Sequence, residues 1–153
     1  MIEKLQNNET EVSKEILSVF QLSYAIEAKL LNAVDFPPLK RPLKDYVNST
    51  TEFFGYIKAG ELAGVIEIEH NSRFIHINSL VVHPGFFRQG IARKLMEYLL
   101  NTFDADLFTV ETGLENGPAT ELYRKFGFKE VNQWDTDHGL RKIKFERRIN
   151  NKV

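Results

Sequence analysis

Leu80-Val81-Val82-His83-Pro84-Gly85-Phe86-Phe87-Arg88-Gln89-Gly90-Ile91-Ala92-Arg93-Lys94-Leu95-Met96-Glu97-Tyr98-Leu99-Leu100 is the stretch on which the reading of this chain turns. Its first residues continue the alternating run Ile75-His76-Ile77-Asn78 and read as a strand, which Pro84 and Gly85 stop. From Gly90 onward Ile91, Leu95 and Leu99 recur four apart, with Ala92 and Met96 beside them, so a helix starts there. The loop from Pro84 to Gln89 thus feeds a helix N-terminus, whose free N–H groups and dipole attract an anion. Gly90 offers main chain without a Cβ, and Arg88 and Arg93 can add charge-assisted hydrogen bonds to phosphate. The loop reads as a diphosphate cradle. It is neither a Walker loop nor a Rossmann fingerprint, because both glycine spacings are missing.

Upstream, Ile2 to Leu5 reads as a short strand, and Asn8 with Glu11 as a helix-capping pair. Val12, Ile16 and Val19 follow at helical spacing and Leu22, Ile26 and Leu30 repeat the pattern, giving two helices or one broken helix over residues 9 to 34. Pro37, Pro38 and Pro42 then force an extended path, either a linker or a wall of a substrate pocket. Phe53 to Lys58 and Leu62 to Glu69 read as a hairpin, and Phe74 to Val82 as the strand that enters the cradle. Beyond the cradle helix, Leu107 to Thr112 is a strand, parallel to the earlier one by the right-handed crossover rule. Pro118 opens a further helix that Gly127 caps, and Phe128 to Val131 and Ile143 to Arg147 are the last strands. Residues 150 to 153 read as frayed. The order predicts one α/β domain (α+β type) over residues 1–153, a mixed antiparallel and parallel sheet with helices on both faces.

A second motif follows the cradle: Asn116-Gly117-Pro118-Ala119-Thr120-Glu121-Leu122-Tyr123-Arg124-Lys125-Phe126-Gly127-Phe128. It resembles the N-x-x-A-x-x-L-Y-x-K-x-G-F signature of the GNAT N-acetyltransferase superfamily. The cradle resembles that superfamily's acyl-coenzyme A loop, Q/R-x-x-G-x-G/A, through Phe87-Arg88-Gln89-Gly90-Ile91-Ala92, with Phe87 standing where Gln or Arg is usual. The likeness covers about Phe53 to Arg147.

The resemblance implies direct transfer of an acetyl group from acetyl-coenzyme A to a primary amine, on a small molecule, an amino-acid derivative or a protein. No enzyme nucleophile is needed, in keeping with a chain that has no cysteine. It implies that Tyr123 protonates the departing thiolate and that Phe87, Arg88, Gln89, Gly90, Ile91, Ala92 and Arg93 hold the pyrophosphate. Main-chain groups of Leu80, Val81 and Val82 are expected along the pantetheine arm, with the Val82 N–H as oxyanion donor. Asn116 either holds that arm or caps its helix. The base is open among His76, Glu67 and Glu69, the two glutamates sharing one strand face, with Glu111 a weaker candidate. Arg124 and Lys125 either reach the adenosine phosphate or are simply solvated.

A net charge of -1 and the lack of a basic stripe argue against a nucleic-acid binder. The absence of cysteine removes disulfides and thiolate metal sites, and His70, His83 and His138 lack metal-ligand spacing. No apolar run is long enough for a membrane span and no signal-like segment follows Met1, so a soluble cytoplasmic protein without metal is expected. A homodimer is frequent in such folds, which is analogy. The rival reading, a module that binds acyl-coenzyme A without turnover, stays open on the sequence.

Overall fold

The computed structural model describes residues 1–149; the fraying expected of residues 150–153 lies outside them. Seven strands form one sheet, β1 (Ile2–Leu5), β2 (Glu52–Lys58), β3 (Glu61–His70), β4 (Phe74–Val82), β5 (Leu107–Gly113), β6 (Lys129–Asp135) and β7 (Arg141–Arg148). Their order is β1-β2-β3-β4-β5-β7-β6, antiparallel throughout except for the parallel pair β4–β5. That pair is joined by α3 (Ile91–Thr102), the crossover that the sequence predicts. Helix α4 (Gly117–Lys125) links β5 to β6 and ends on Gly127 at φ +83°, with the Phe128 N–H bonded back to the Tyr123 carbonyl.

The sheet carries helices on both faces. Ile91, Leu95, Met96 and Leu99 of α3 and Tyr123 of α4 pack on one face against Ile66, Ile68, Ile75 and Ile77. This approach is close: a Cβ on Gly64 would lie 2.7 Å from Ile91 Cγ2, so only glycine lets α3 begin so near the sheet. On the other face, Ile16, Val19 and Phe20 of α1 (Thr10–Leu30) and Tyr46 of the short α2 (Leu43–Val47) cover Phe53, Val65 and Val81. Among the described residues no helix is long and apolar enough to cross a membrane.

Two local readings change. Residues 9 to 34 hold one unbroken α1, and its buried stripe runs Ile16, Phe20, Ala28 rather than through Leu22, Ile26 and Leu30, which are exposed. Both stripes have helical spacing, and the sheet selects the one whose aromatic rings interlock with Tyr46 and Phe53. Asn8 does not cap α1, because the helix begins at Thr10 with Glu9 as its cap residue. Asn7 is the ordered neighbour instead: its Nδ2 donates to the Tyr46 and Ser49 carbonyls at the end of α2.

A third reading changes as well: the prolines between α1 and α2 do not keep the path extended. Pro37–Lys40 makes a 3₁₀ turn flanked by extended backbone at Phe36 and Arg41, and the segment is pinned to the sheet by Arg41. Both terminal nitrogens of Arg41 donate to the Glu67 carboxylate, at 2.8 and 3.0 Å, and its guanidinium lies 4.2 Å over the Tyr46 ring. Arg41→Ala should cost ~3–5 kcal/mol in urea denaturation, because it strands the 1% exposed Glu67 without its cation. The choice of helix stripe is checked the same way. Ile16→Ala at a fully buried site should cost ~2–5 kcal/mol, and Ile26→Ala at a site 44% exposed about 1 kcal/mol or less.

Candidate active site

Strand β4 organises the site. Its register against β3 slips between Glu67–Ser79 and Ile68–Ile77, leaving Asn78 as the extra residue of a β-bulge. At the same point the parallel pairing with β5 ends: Ile77–Val110 is its last partnership, although β4 runs on to Val82 and β5 to Gly113. The strands part there into a notch. The His83 N–H donates to the Ala63 carbonyl directly opposite, at 2.8 Å. Main-chain groups alternate sides along an antiparallel ladder, so Val81 turns toward β3 while Leu80 and Val82 turn their N–H and C=O groups into the notch. Of the three residues expected along the pantetheine arm, Leu80 and Val82 present free main chain and Val81 spends its own on the sheet.

The loop at the far end of β4 has the geometry of an anion site. Arg88 and Gly90 both adopt left-handed backbone, φ +64° and +74°, with Phe87 extended before them. The first hydrogen bond of α3 runs from the Lys94 N–H to the Gly90 carbonyl. The amides of Ile91, Ala92 and Arg93 therefore precede the helix's own ladder and are free to donate outward. Side chains contribute unequally: Arg88 and Phe87 are exposed, Gln89 accepts from Lys58 Nζ, and Arg93 bonds Glu97 at 3.2 Å. Ile91 is buried beneath the loop and Ala92 half-buried. The cradle rests on main chain.

A cavity of about 430 Å³ opens beside the notch, lined on one side by Ser79 and Leu80 and on the other by Glu111 and Thr112. Tyr123 of α4 reaches it; the residue is 4% exposed, and burial raises its hydroxyl pKa well above the ordinary range, so it stays protonated. Asn116 borders the same cavity and caps α4, its Oδ1 accepting from the Ala119 N–H at 3.3 Å. The proline segment is a wall, since Phe36, Pro37 and Pro38 line the cavity. The β6–β7 loop closes it through His138 and Leu140.

The candidate bases are dispersed. Glu67 is buried and accepts four hydrogen bonds, two from Arg41 and one each from Thr51 Oγ1 (2.7 Å) and Ser79 Oγ (3.1 Å). It borders a second, smaller cavity of about 330 Å³. Glu69 shares its strand face but is exposed and bonded by Asn78 Nδ2. His76 sits 2.6 Å from Thr109 Oγ1, outside both cavities, and burial lowers its pKa against the opposing pull of Glu111 and Glu69. Glu111 lies 3.8 Å from Lys142. Arg124 and Lys125 pair with Glu130 and Glu121, and no group of three or more metal-type side chains occurs among the described residues.

Tyr24, Glu27, Arg41 and Lys142 are among the cavity groups that escaped the sequence reading. Tyr24 donates to Ser79 Oγ at 3.1 Å. Glu27 is half-buried, and burial raises its pKa while Lys142 and the Asn116 amide pull it down. A signal for both was present, since Tyr24 and Glu27 continue the Ile16–Phe20 stripe at steps of four and three.

The family model described as "Acetyltransferase (GNAT) domain" matches residues 27–149. UPF0157 protein YqkA of Bacillus subtilis is 38% identical over 141 residues, covering 92% of this chain and 41% of that protein. The chain thus spans about two-fifths of that relative's length. Among solved structures, the ribosomal-protein-S18-alanine N-acetyltransferase from Escherichia coli aligns with TM-score 0.76 at 20% identity, over 100% of this chain and 98% of its own. The PaiA N-acetyltransferase from Thermoplasma acidophilum, solved in complex with coenzyme A, aligns with TM-score 0.74 at 17% identity, over 97% and 99% of the two chains. At such identities the two structures speak for the fold alone. With that family model matched over most of this chain, on top of that fold, the chain belongs to the GNAT acetyltransferase family.

Proposed function

We propose that the chain transfers an acetyl group from acetyl-coenzyme A directly to a primary amine within a ternary complex. The observation that carries this reading is the notch itself: Leu80 and Val82 offer a strand edge without a partner, and the cradle stands at the end of that same strand. A pantetheine arm has amides that can pair with such an edge as an added strand does, and a pyrophosphate suits the free amides at the start of α3. The residues present fit the cofactor. Phe87 to Arg93 would hold the pyrophosphate mainly by main chain, and Leu80 and Val82 the arm, with the Val82 N–H donating to the carbonyl oxygen as it gains negative charge.

When bound, the cofactor supplies an activated acetyl group and a thiolate leaving group. Tyr123, kept protonated by burial, gives its hydroxyl proton to the departing sulfur. Asn116 has its carbonyl oxygen occupied as the cap of α4, so its part in the reaction is to fix the helix that carries Tyr123. Of His76, Glu67 and Glu69, Glu67 is the one that borders either of the two cavities described, and its four bonds hold it as an anchor for the wall.

Two substitutions test the reading. Gly90→Glu should weaken coenzyme A binding by more than about tenfold in calorimetry. Gly90→Ala imposes the same backbone strain without the charge and should lose less; equal losses, or none in folded variants, refute the cradle. Tyr123→Phe should lower kcat by about 10²-fold with coenzyme A affinity retained. Cofactor binding without turnover of any amine, unchanged by Tyr123→Phe, would favour the acyl-coenzyme A sensor instead.

A further inference from the structure

Resting on the acetyl-transfer reading, we infer that the larger cavity takes a primary amine carried on an apolar, uncharged body, with Glu27 receiving its ammonium group. Glu27 is the carboxylate that α1 turns inward, one turn beyond Tyr24, and it borders the same cavity as Tyr123 and the notch. Leu31, Phe36, Pro37 and Leu140 form the apolar part of its lining. Burying a second charge against them would go uncompensated.

The arginine and the lysine that reach the cavity are already matched, and its histidine has an acid beside it. Arg41 has both terminal nitrogens on Glu67. His138 of the β6–β7 loop sits 3.2 Å from Asp137. Lys142 of β7 lies between two acids, 3.8 Å from Glu111 and close enough to Glu27 to lower its pKa. Two carboxylates share one lysine, so that end of the cavity has room for one further positive charge and no cation to spare for an acceptor's carboxylate. The other groups facing Glu27 are neutral: the Asn116 amide from the α4 cap, and the Tyr24 and Tyr123 hydroxyls, which burial keeps protonated.

The proton count closes. Glu27 takes one proton from the ammonium and later releases it to solvent. The free amine nitrogen then bonds the acetyl carbon as the carbon–sulfur bond breaks. Tyr123 protonates the thiolate and recovers the second amine proton, so amide, thiol and one solvent proton result. Because burial holds the Glu27 carboxyl above the usual glutamate range, it is protonated and unable to accept below that raised value. Activity should therefore rise with pH through an acid limb displaced upward from an ordinary glutamate.

The test compares 2-phenylethylamine with L-phenylalanine, which adds only a carboxylate, by thiol release across pH on the wild type and Glu27→Gln. The amine should exceed the amino acid in kcat/KM by about tenfold or more. Glu27→Gln should lower kcat/KM for the amine by about 10²-fold and remove the acid limb. Coenzyme A affinity should be unchanged. By calorimetry, 2-phenylethylamine binding should weaken below the limb in the wild type and be weaker but flat with pH in the variant. Glutamine keeps an acceptor for Asn116 and sheds the buried charge, so a loss of melting temperature is not expected. Preference for L-phenylalanine, or a Glu27→Gln enzyme with wild-type rate and limb, overturns the inference while acetyl transfer stands. Failure of the wild type to bind coenzyme A overturns the acetyl-transfer reading, and the inference with it.

Discussion

A parallel strand pair ordinarily persists as long as both strands do, and here it does not. The bulge at Asn78 bends β4 away from β5 just as their pairing ends at Ile77–Val110, leaving Leu80 and Val82 without a strand partner on that side among the described residues. Backbone groups taken out of water must find partners, so this break is a standing demand for hydrogen bonds. The extended, amide-bearing ligand proposed here would meet that demand in the manner of an added strand. The same strand then delivers the chain to the loop of Arg88 and Gly90, so slot and cradle lie in line on one element. The site follows from where a sheet is interrupted.

The two faces of the sheet serve that interruption differently. On the α3 face the packing is apolar and tight, with Gly64 leaving room for Ile91, so the start of α3 and its free amides have a fixed position over β4. On the α1 face the sheet carries a buried carboxylate, Glu67, tied to Arg41, Thr51 and Ser79, with Tyr24 bonded in turn to Ser79. A buried ion pair adds little net stability, yet breaking it leaves an uncompensated charge. The proline segment that carries Arg41 is therefore held where Phe36 and Pro37 become the cavity wall. Its prolines open the 3₁₀ turn at Pro37–Lys40 and the start of α2, and the ion pair sets where that turn lies.

How much of this was legible in the chain depends on how local each cause is. The cradle, the crossover into β5 and the Asn116 to Gly127 helix are each written in consecutive residues, where a proline, a glycine or a helical repeat acts on its own neighbourhood. Helix α1 shows the opposite case. Leu22, Ile26 and Leu30 have helical spacing as good as that of Ile16, Phe20 and Tyr24, and only the aromatic surface offered by Tyr46 and Phe53 decides which stripe is buried. Choosing the wrong stripe also hides Glu27, since it then appears as one more solvated acid. Glu67 and Glu69 illustrate the same point on a strand: both share one face, but the Arg41 segment covers the first and leaves the second exposed.

By itself, then, the sequence determined the strand–loop–helix that runs from β4 into α3, the direction of the β4–β5 pair and the helix that carries Tyr123. These rest on backbone chemistry and short-range periodicity, which act within a few residues. Only the tertiary structure decided where β4 and β5 part, which glutamate is buried beside which cation, and that Glu27 and Tyr123 border one cavity. Those outcomes join residues from opposite ends of the chain, and their energies come from desolvation and contact, which have no value until the chain has closed on itself.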